Sequence, residues 1–473
     1  MTRVLVVGLD GFDYQLASTW LADLPNLREL MERGAHGPLL SIVQPVTPPA
    51  WTSMVTGRNP GWFGFTDFTT RKPGSYAEQR LVHAGMVRAD TVFDRADRAG
   101  LRTVALSVPV SYPPPRRQGG IVLSCIMAPS ADRPVTHPPA LKERWTSLLG
   151  QPLLFDAAIT DSDVRGDRQA LLHKLDALDR QRFDLARHLL AGGEWDLAFM
   201  VCTGTDRVAH YFLDDRHDPD AVHDHYVRCD QQLGGLLDDL PGDSAVLVAS
   251  DHGVQRLDGT VNLNDWLARA GYLVLEEQVG TACRLVDAPV DWARTRAWAS
   301  GFGGQIWLNR AGVLPLGWLD EEQADGVARE LAAHLLELAG DDGQAPKVQV
   351  HSREELYSGP FAASCPDLCV QFDELRLLAR NSVGHGQTIS PPDGEDVASH
   401  AQHGFLALAG PGIGAVGTCH ALSIYDIAPT ILDLLRLDQG QLDGRSLLED
   451  LREPYSVDDQ AELASRLETL YLD

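Results

Sequence analysis

Residues 3–11 read RVLVVGLDG, an unbroken apolar, largely β-branched run that ends on Asp10 and Gly11. A strand apolar at every position is buried on both faces, as in a parallel sheet with helices on each side. The pattern recurs in TVALSVPV (103–110), DLAFMVCTG (196–204), SAVLVAS (244–250) and FLALAG (405–410). Between these runs the apolar spacing turns helical, over 168–192 and again over 423–436, where Ser423 and Asp426 form a capping-box-like start. Alternating strands and helices predict a doubly wound α/β fold, a mostly parallel sheet sandwiched by helices. Its ligands should gather beyond the carboxyl ends of the strands.

The polar residues at those ends are of one chemical kind. Asp10 follows the first strand, and Asp251 and His252 follow SAVLVAS. Asp206 follows DLAFMVCTG with His210 four residues on, which puts both on one face of a helical turn. His400 precedes FLALAG instead of following a strand. Alone, each reads as a turn residue or a surface pair. Together, three Asp and three His at one sheet edge are the ligand stock for two divalent cations. Zinc suits imidazole and carboxylate best, with manganese the other candidate.

A hydroxyl would complete such a site, because a two-metal centre can activate Ser or Thr for attack on phosphorus. QPVTPPAWTSMVTG (44–57) follows a predicted short strand at 37–43 and offers Thr47, Thr52, Ser53 and Thr56. Pro48 and Pro49 favour a helix start, near whose N-terminus Thr47 would meet the positive end of the dipole. His217, His223 and His225 lie in the acidic stretch RHDPDAVHDHY and are expected to be solvated. His385 and His403 compete with His400 as ligand.

Bulk properties narrow the partners. At 473 residues the chain can form one large domain with an insertion, or two to three domains. Residues 1–257 and 399–473 read as the core, and 258–398 as a smaller α+β cap insertion with a long helix near 320–340. The net charge of −26 argues against a nucleic-acid polymer or a membrane surface as partner. It leaves room for a small anionic substrate, since bound cations reverse the local sign. Of seven cysteines only Cys365 and Cys369 are close in sequence, and no second pair completes a zinc knuckle. Reduced thiols in a cytoplasmic protein are expected. The first apolar run is too short for a signal sequence, and no segment approaches the roughly 20 apolar residues of a membrane span.

In order along the chain, VVGLDG, VTPPAWTSMVTGRNPG, VPVSYPP, TGTDRVAHYF, SDHG, NLNDWL, GGQIWLN, CPDL, the His400 region with GPGI, and IYDIAPTILDLL resemble the alkaline phosphatase superfamily. The nearest likeness is to its type I phosphodiesterase/nucleotide pyrophosphatase branch, including bacterial proteins of the phosphohydrolase/phosphomutase type. The resemblance implies an alkaline phosphatase-like core with one metal on Asp206, His210 and His400. The other would sit on Asp10, Asp251, His252 and the nucleophile, whose place falls on Thr47. It further implies a phosphothreonine intermediate and a small phosphorylated metabolite or nucleotide as substrate. A phosphomonoesterase or a phosphotransferase/phosphomutase is the alternative. Ala50 stands where nucleotide pyrophosphatases carry an Asn on a phosphoryl oxygen; Arg58, Asn59 and Arg71 are candidate replacements. The C/S-x-P-x-R pattern of sulfatases is missing. The large insertion lies late in the chain, whereas cofactor-independent phosphoglycerate mutases carry theirs early.

Two other classes can be weighed. Residues 412–417 (GIGAVG) match G-x-G-x-x-G, but the next helix starts about six residues later, whereas a dinucleotide fingerprint opens its helix directly. A non-catalytic relative should have lost a ligand or the nucleophile, and all seven positions are filled.

Overall fold

The computed structural model describes residues 2–156 and 159–452. The chain divides into two compact units. One draws its described residues from Met1–Asn59, His83–Val254 and His400–Asp473, the other from Pro60–Val82 and Gln255–Ser399.

The first unit is built on a large mixed sheet. Its strands are β1 (Arg3–Leu9), β2 (Ala35–Leu40), β3 (Thr103–Leu106), β4 (Ile121–Leu123), β5 (Thr136–His137), β6 (Leu197–Cys202), β7 (Ser244–Ala249), β8 (His403–Ala409), β9 (Gly417–Thr418) and β10 (Leu422–Ser423). They run in the order β9, β2, β8, β7, β1, β6, β3, β4, β5, with β10 also paired to β2. β7, β1, β6 and β3 are parallel neighbours, as the unbroken apolar runs predict. Successive β1 side chains enter different cores. Leu5 and Val7 join Phe183 and Met200 on one face; Val4 and Val6 join Trp51 and Phe199 on the other. Burying each such side chain contributes about 1.5–3 kcal/mol, so only a run apolar at every position suits this slot.

β8 runs antiparallel to both β7 and β2. That reversal matters for the site: the start of β8 lies at the sheet edge where β7 ends. His400 therefore reaches the same edge as the residues that follow the parallel strands.

Several boundaries move. β3 stops at Leu106 because Ser107 and Val110 adopt positive φ values of 58° and 61°, which no strand accommodates. The helix expected at 168–192 is α2 (Arg168–Leu190), with the Asp167 carboxylate accepting from the Gln169 and Ala170 amides. Ser423 and Asp426 form the expected capping box, leading through a short 3₁₀ turn into Ile427–Leu434. Residues 412–417 open no helix: the next strands are β9 and β10.

The second unit holds a seven-stranded sheet and the helix Glu321–Leu336, begun by an Asp320–Gln323 capping box. It also includes Pro60–Val82, which the sequence pattern assigns to the core. Within that segment Thr69–Arg71 forms a hairpin with Gln79–Leu81. The Thr66 hydroxyl donates to Gln305 Oε1 at 2.8 Å, and the Arg71 guanidinium lies 4.0 Å over the Trp307 ring. Among the described residues no helix is long and apolar enough to cross a membrane.

Candidate metal centre and nucleophile

Asp10, Thr47, Asp206, His210, Asp251, His252 and His400 all belong to the first unit. Asp10 leaves β1, Asp251 and His252 leave β7, and Asp206 and His210 sit on α3 (Gly204–Phe212), which follows β6 directly. Except for the half-buried His210, every one is less than 10% exposed.

One set comprises Asp206, His210 and His400. His210 Nε2 lies 3.2 Å from His400 Nε2 and 3.3 Å from Asp206 Oδ1, and the His400 to Asp206 separation is 3.7 Å. Ligands at about 2.0 Å around a tetrahedral ion are about 3.3 Å apart, so these atoms already stand at coordination spacing. The other set centres on His252, whose Nε2 is 3.4 Å from Asp251 Oδ2 and 3.6 Å from Asp10 Oδ1. Asp10, Asp206 and His252 also offer atoms within 4.8 Å of one another, so Asp206 stands between the two sets. The His252 and His400 rings stack at 3.7 Å.

The outward nitrogens of both stacked rings are fixed. His400 Nδ1 is 2.5 Å from the Pro45 carbonyl, and His252 Nδ1 is 3.0 Å from the Gly253 carbonyl. Each contact needs a proton on Nδ1 and so directs a bare Nε2 inward, the arrangement in which protein imidazoles hold metals.

The inward atoms are otherwise unserved. Asp10 Oδ1, Asp206 Oδ1, Asp251 Oδ2 and His252 Nε2 are buried and make no hydrogen bond. Each buried, uncompensated carboxylate costs several kcal/mol, so three gathered in one place call for cationic charge. The local electrostatics bear on this. Burial, then the charges of Asp251 and Asp206, push the Asp10 carboxyl well above its usual range. Burial pushes Asp251 up to about 6. Burial opposes charge on Asp206 too, but His210, His400 and His252 hold it below the usual carboxylate range. Burial, then neighbouring His252, holds His400 well below the usual imidazole range. The residues fit divalent cations.

Thr47 is the first residue of α1 (Thr47–Thr56), a helix whose ten residues are all buried. Its four hydroxyls differ. Those of Thr52 and Thr56 donate back to the Pro48 and Thr52 carbonyls, both at 2.7 Å, while Ser53 Oγ is buried without a hydrogen bond. Ala50 is wholly buried in the Trp51 core cluster.

Three residues link this segment and its neighbours to the candidate ligands. Trp51 Nε1 donates to Asp10 Oδ2 at 3.1 Å, and the Ser41 hydroxyl to the Asp251 carbonyl at 2.5 Å. Gln402 Nε2 donates to the carbonyls of Ser41 and Ile42 at 3.1 and 2.7 Å. The Gln402 contacts follow from the pairing of β2 with β8, which no local pattern gives.

The other sequence candidates lie elsewhere. Arg58 Nη1 donates to Asp443 Oδ1 at 2.8 Å, and the Asn59 amide and side chain both donate to Asp443 Oδ2 at 2.7 Å. Arg71 is stacked within the second unit. His385 belongs to that unit too, bonded to Ser382 at 2.7 Å. His403 is exposed at the start of β8. His217 is exposed as expected, but His225 is buried, because it lies on the inward face of α4 (Ala221–Asp238).

Gly11 shows how tightly the site is built. It has φ +64°, and a Cβ there would stand 2.9 Å from Asp206 Cβ and Oδ1. Gly11→Ala is expected to displace Asp206 and weaken metal binding by roughly 10- to 100-fold. A metal titration followed by calorimetry checks it; unchanged affinity would show that Asp206 tolerates displacement.

A doubly wound sheet carrying buried carboxylate–imidazole clusters at one edge suits a metal-dependent hydrolase. The chain belongs to the type I phosphodiesterase / nucleotide pyrophosphatase family, whose family model matches residues 4–406. Among solved structures it is similar to phosphonoacetate hydrolase from Sinorhizobium meliloti 1021 in complex with phosphonoformate. The identity is 18%, the TM-score 0.61, and the match covers 92% of this chain and 96% of that one. It is similar to human ectonucleotide pyrophosphatase / phosphodiesterase 5 at 14% identity and TM-score 0.55, over 95% and 99% of the two chains. The murine counterpart, in an inactive Thr-to-Ala form complexed with AMP, matches at 15% identity and TM-score 0.53, over 95% and 100%. No curated protein matches the chain.

Proposed function

We propose that this protein hydrolyses phosphodiester or pyrophosphate bonds of a small phosphorylated metabolite or nucleotide through a phosphothreonine on Thr47. The observation that carries the reading is the tethering of the Thr47 segment to both ligand sets. Pro45, two residues before Thr47, receives His400, and Trp51, four residues after, holds Asp10. Two divalent cations, zinc in preference to manganese, would be held by Asp206, His210 and His400 and by Asp10, Asp251, His252 and Thr47; they would favour ionisation of the hydroxyl and offset charge on the phosphoryl oxygens.

The chain's own groups do the rest. Thr47 Oγ1 attacks phosphorus at the N-terminus of α1, where the backbone dipole favours the phosphoryl group. A bond forms from Oγ1 to phosphorus, the bond to the leaving oxygen breaks, and that oxygen takes the proton Thr47 gave up. Water then cleaves the phosphothreonine and restores the hydroxyl. The murine relative whose inactive form carries Ala for a Thr supports this role. Arg58 and Asn59 stay outside the proposal as substrate contacts, since Asp443 uses their donors. Seven free thiols support a reducing, cytoplasmic compartment.

One observation favours a second reading, a phosphomonoesterase or phosphotransferase. Buried Ala50 offers no donor where nucleotide pyrophosphatases place Asn. A panel of bis-p-nitrophenyl phosphate, p-nitrophenyl phosphate, a dinucleoside pyrophosphate and a phosphonate, assayed with zinc or manganese, separates the two. Diester or pyrophosphate turnover should exceed monoester turnover. The reverse order selects the second reading, and no turnover of any ester would sink both.

A further inference from the structure

A second ligand cluster lies apart from the catalytic one. Asp176 and Asp179 stand one turn apart on α2, His225 and Cys229 one turn apart on α4, and Cys202 ends β6. Asp179, Cys202, His225 and Cys229 are all less than 5% exposed. His225 Nε2 is 3.1 Å from Asp179 Oδ2, and Cys229 Sγ is 4.0 Å from the same oxygen. The buried Cys202 thiol, at the end of β6, neighbours Asp179 and Cys229. On its other side His225 Nδ1 meets Asp176 Oδ1 at 2.8 Å, and the Arg228 guanidinium holds Asp176 at 3.0 Å.

A buried imidazole between two carboxylates is by itself a satisfied ion pair. The sulfurs exceed what that pair requires. Two thiols, poor hydrogen-bond donors, converge on the carboxylate and imidazole where a charged or hydroxyl partner would serve better. The ligand atoms of Asp179, His225 and Cys229 fall within 4.8 Å of one another. A tetrahedral ion with bonds of 2.0–2.3 Å spaces its ligands at about 3.3–3.7 Å, and the His225–Asp179 and Cys229–Asp179 separations of 3.1 and 4.0 Å bracket that range. Asp176 behind Nδ1 completes the carboxylate–histidine pairing that orients metal-bound imidazoles.

We propose that Asp179, His225, Cys229 and Cys202 bind a structural zinc ion. A thiol, an imidazole and a carboxylate, with the neighbouring Cys202 thiol as the fourth donor, would select zinc over the harder cations. Burial raises both thiols above their usual range, leaving them inert until a cation draws off their protons. The site would join α2, α4 and the end of β6. It reaches the catalytic centre through Asp179 Oδ1, which accepts from the Gly204 amide at 3.2 Å, the first residue of the helix bearing Asp206 and His210.

Cobalt substitution tests this, because the catalytic set offers only oxygen and nitrogen donors. Full-length protein produced in cobalt medium is expected to show a near-ultraviolet thiolate-to-cobalt charge-transfer band. Cys229→Ser and Cys202→Ser should each lose most of that band, and Cys229→Ser should carry one metal equivalent fewer by elemental analysis. No thiolate band in the wild type, a reading independent of how the variants fold, would leave only a His–Asp ion-pair network. A band surviving in both variants would assign it to other cysteines and overturn the proposal equally.

Discussion

Replacing Thr47 with Ala is expected to lower kcat by at least about a thousand-fold while both catalytic metals stay bound. The loss is large because the reaction would forfeit its covalent path, not merely a contact. Metal retention follows from the ligand count: Asp206, His210 and His400 are untouched, and Asp10, Asp251 and His252 remain. Thr47→Ser should recover part of the rate, since it keeps the oxygen at the helix start. The check is turnover and metal content on the same preparation, with trapping of the phosphorylated residue after an acid quench. Wild-type turnover in Thr47→Ala would move the nucleophile to Ser53, because Thr52 already spends its proton on the Pro48 carbonyl.

Asp251→Asn is expected to divide activity from stability. The variant should lose one metal equivalent and about a hundred-fold or more in turnover, since an amide is a poor replacement for a carboxylate ligand. Metal-free, it should be more stable than the wild type above pH 6. The sign follows from burial, which raises the Asp251 carboxyl from 3.8 to about 6 in the folded chain. A raised carboxyl contributes stability below its unfolded value and loses it as pH climbs through the folded one. Metal-free wild type therefore carries a buried charge above pH 6, costing up to about 3 kcal/mol, and Asn carries none. The Gly11 amide, 3.3 Å from Asp251 Oδ1, can still bond to the Asn oxygen. Thermal melts of chelated protein between pH 4 and 8 should show the gap closing toward pH 4. A variant less stable than wild type at neutral pH would mean that Asp251 serves the fold rather than the metal.

Much of the centre was legible because its ligands sit at strand ends, where topology leaves little choice. RVLVVGLDG and SAVLVASDHG each read as buried strands delivering acids to one edge, and parallel pairing of β1 with β7 brings them together. Asp206 and His210 needed only helical spacing. The tethers were not legible: Ser41, Trp51 and Gln402 are ordinary residues whose partners lie 210, 41 and 361 positions away or nearly so. Arg58 and Asn59 looked like phosphoryl donors until Asp443 was seen to occupy them.

The sequence by itself determined the apolar strands, the acid and histidine at their ends, and the hydroxyl-rich helix start, because local pattern and burial dictate these. Tertiary structure decided how His400 and His225 are placed. His400 reaches the ligand edge because β8 runs against its neighbours, a direction that periodicity does not encode. His225, in a stretch that reads as solvated, turns inward because α4 packs that face against α2. Strand direction and helix rotation are set by packing partners from 49 to 361 positions away, and no local window contains them.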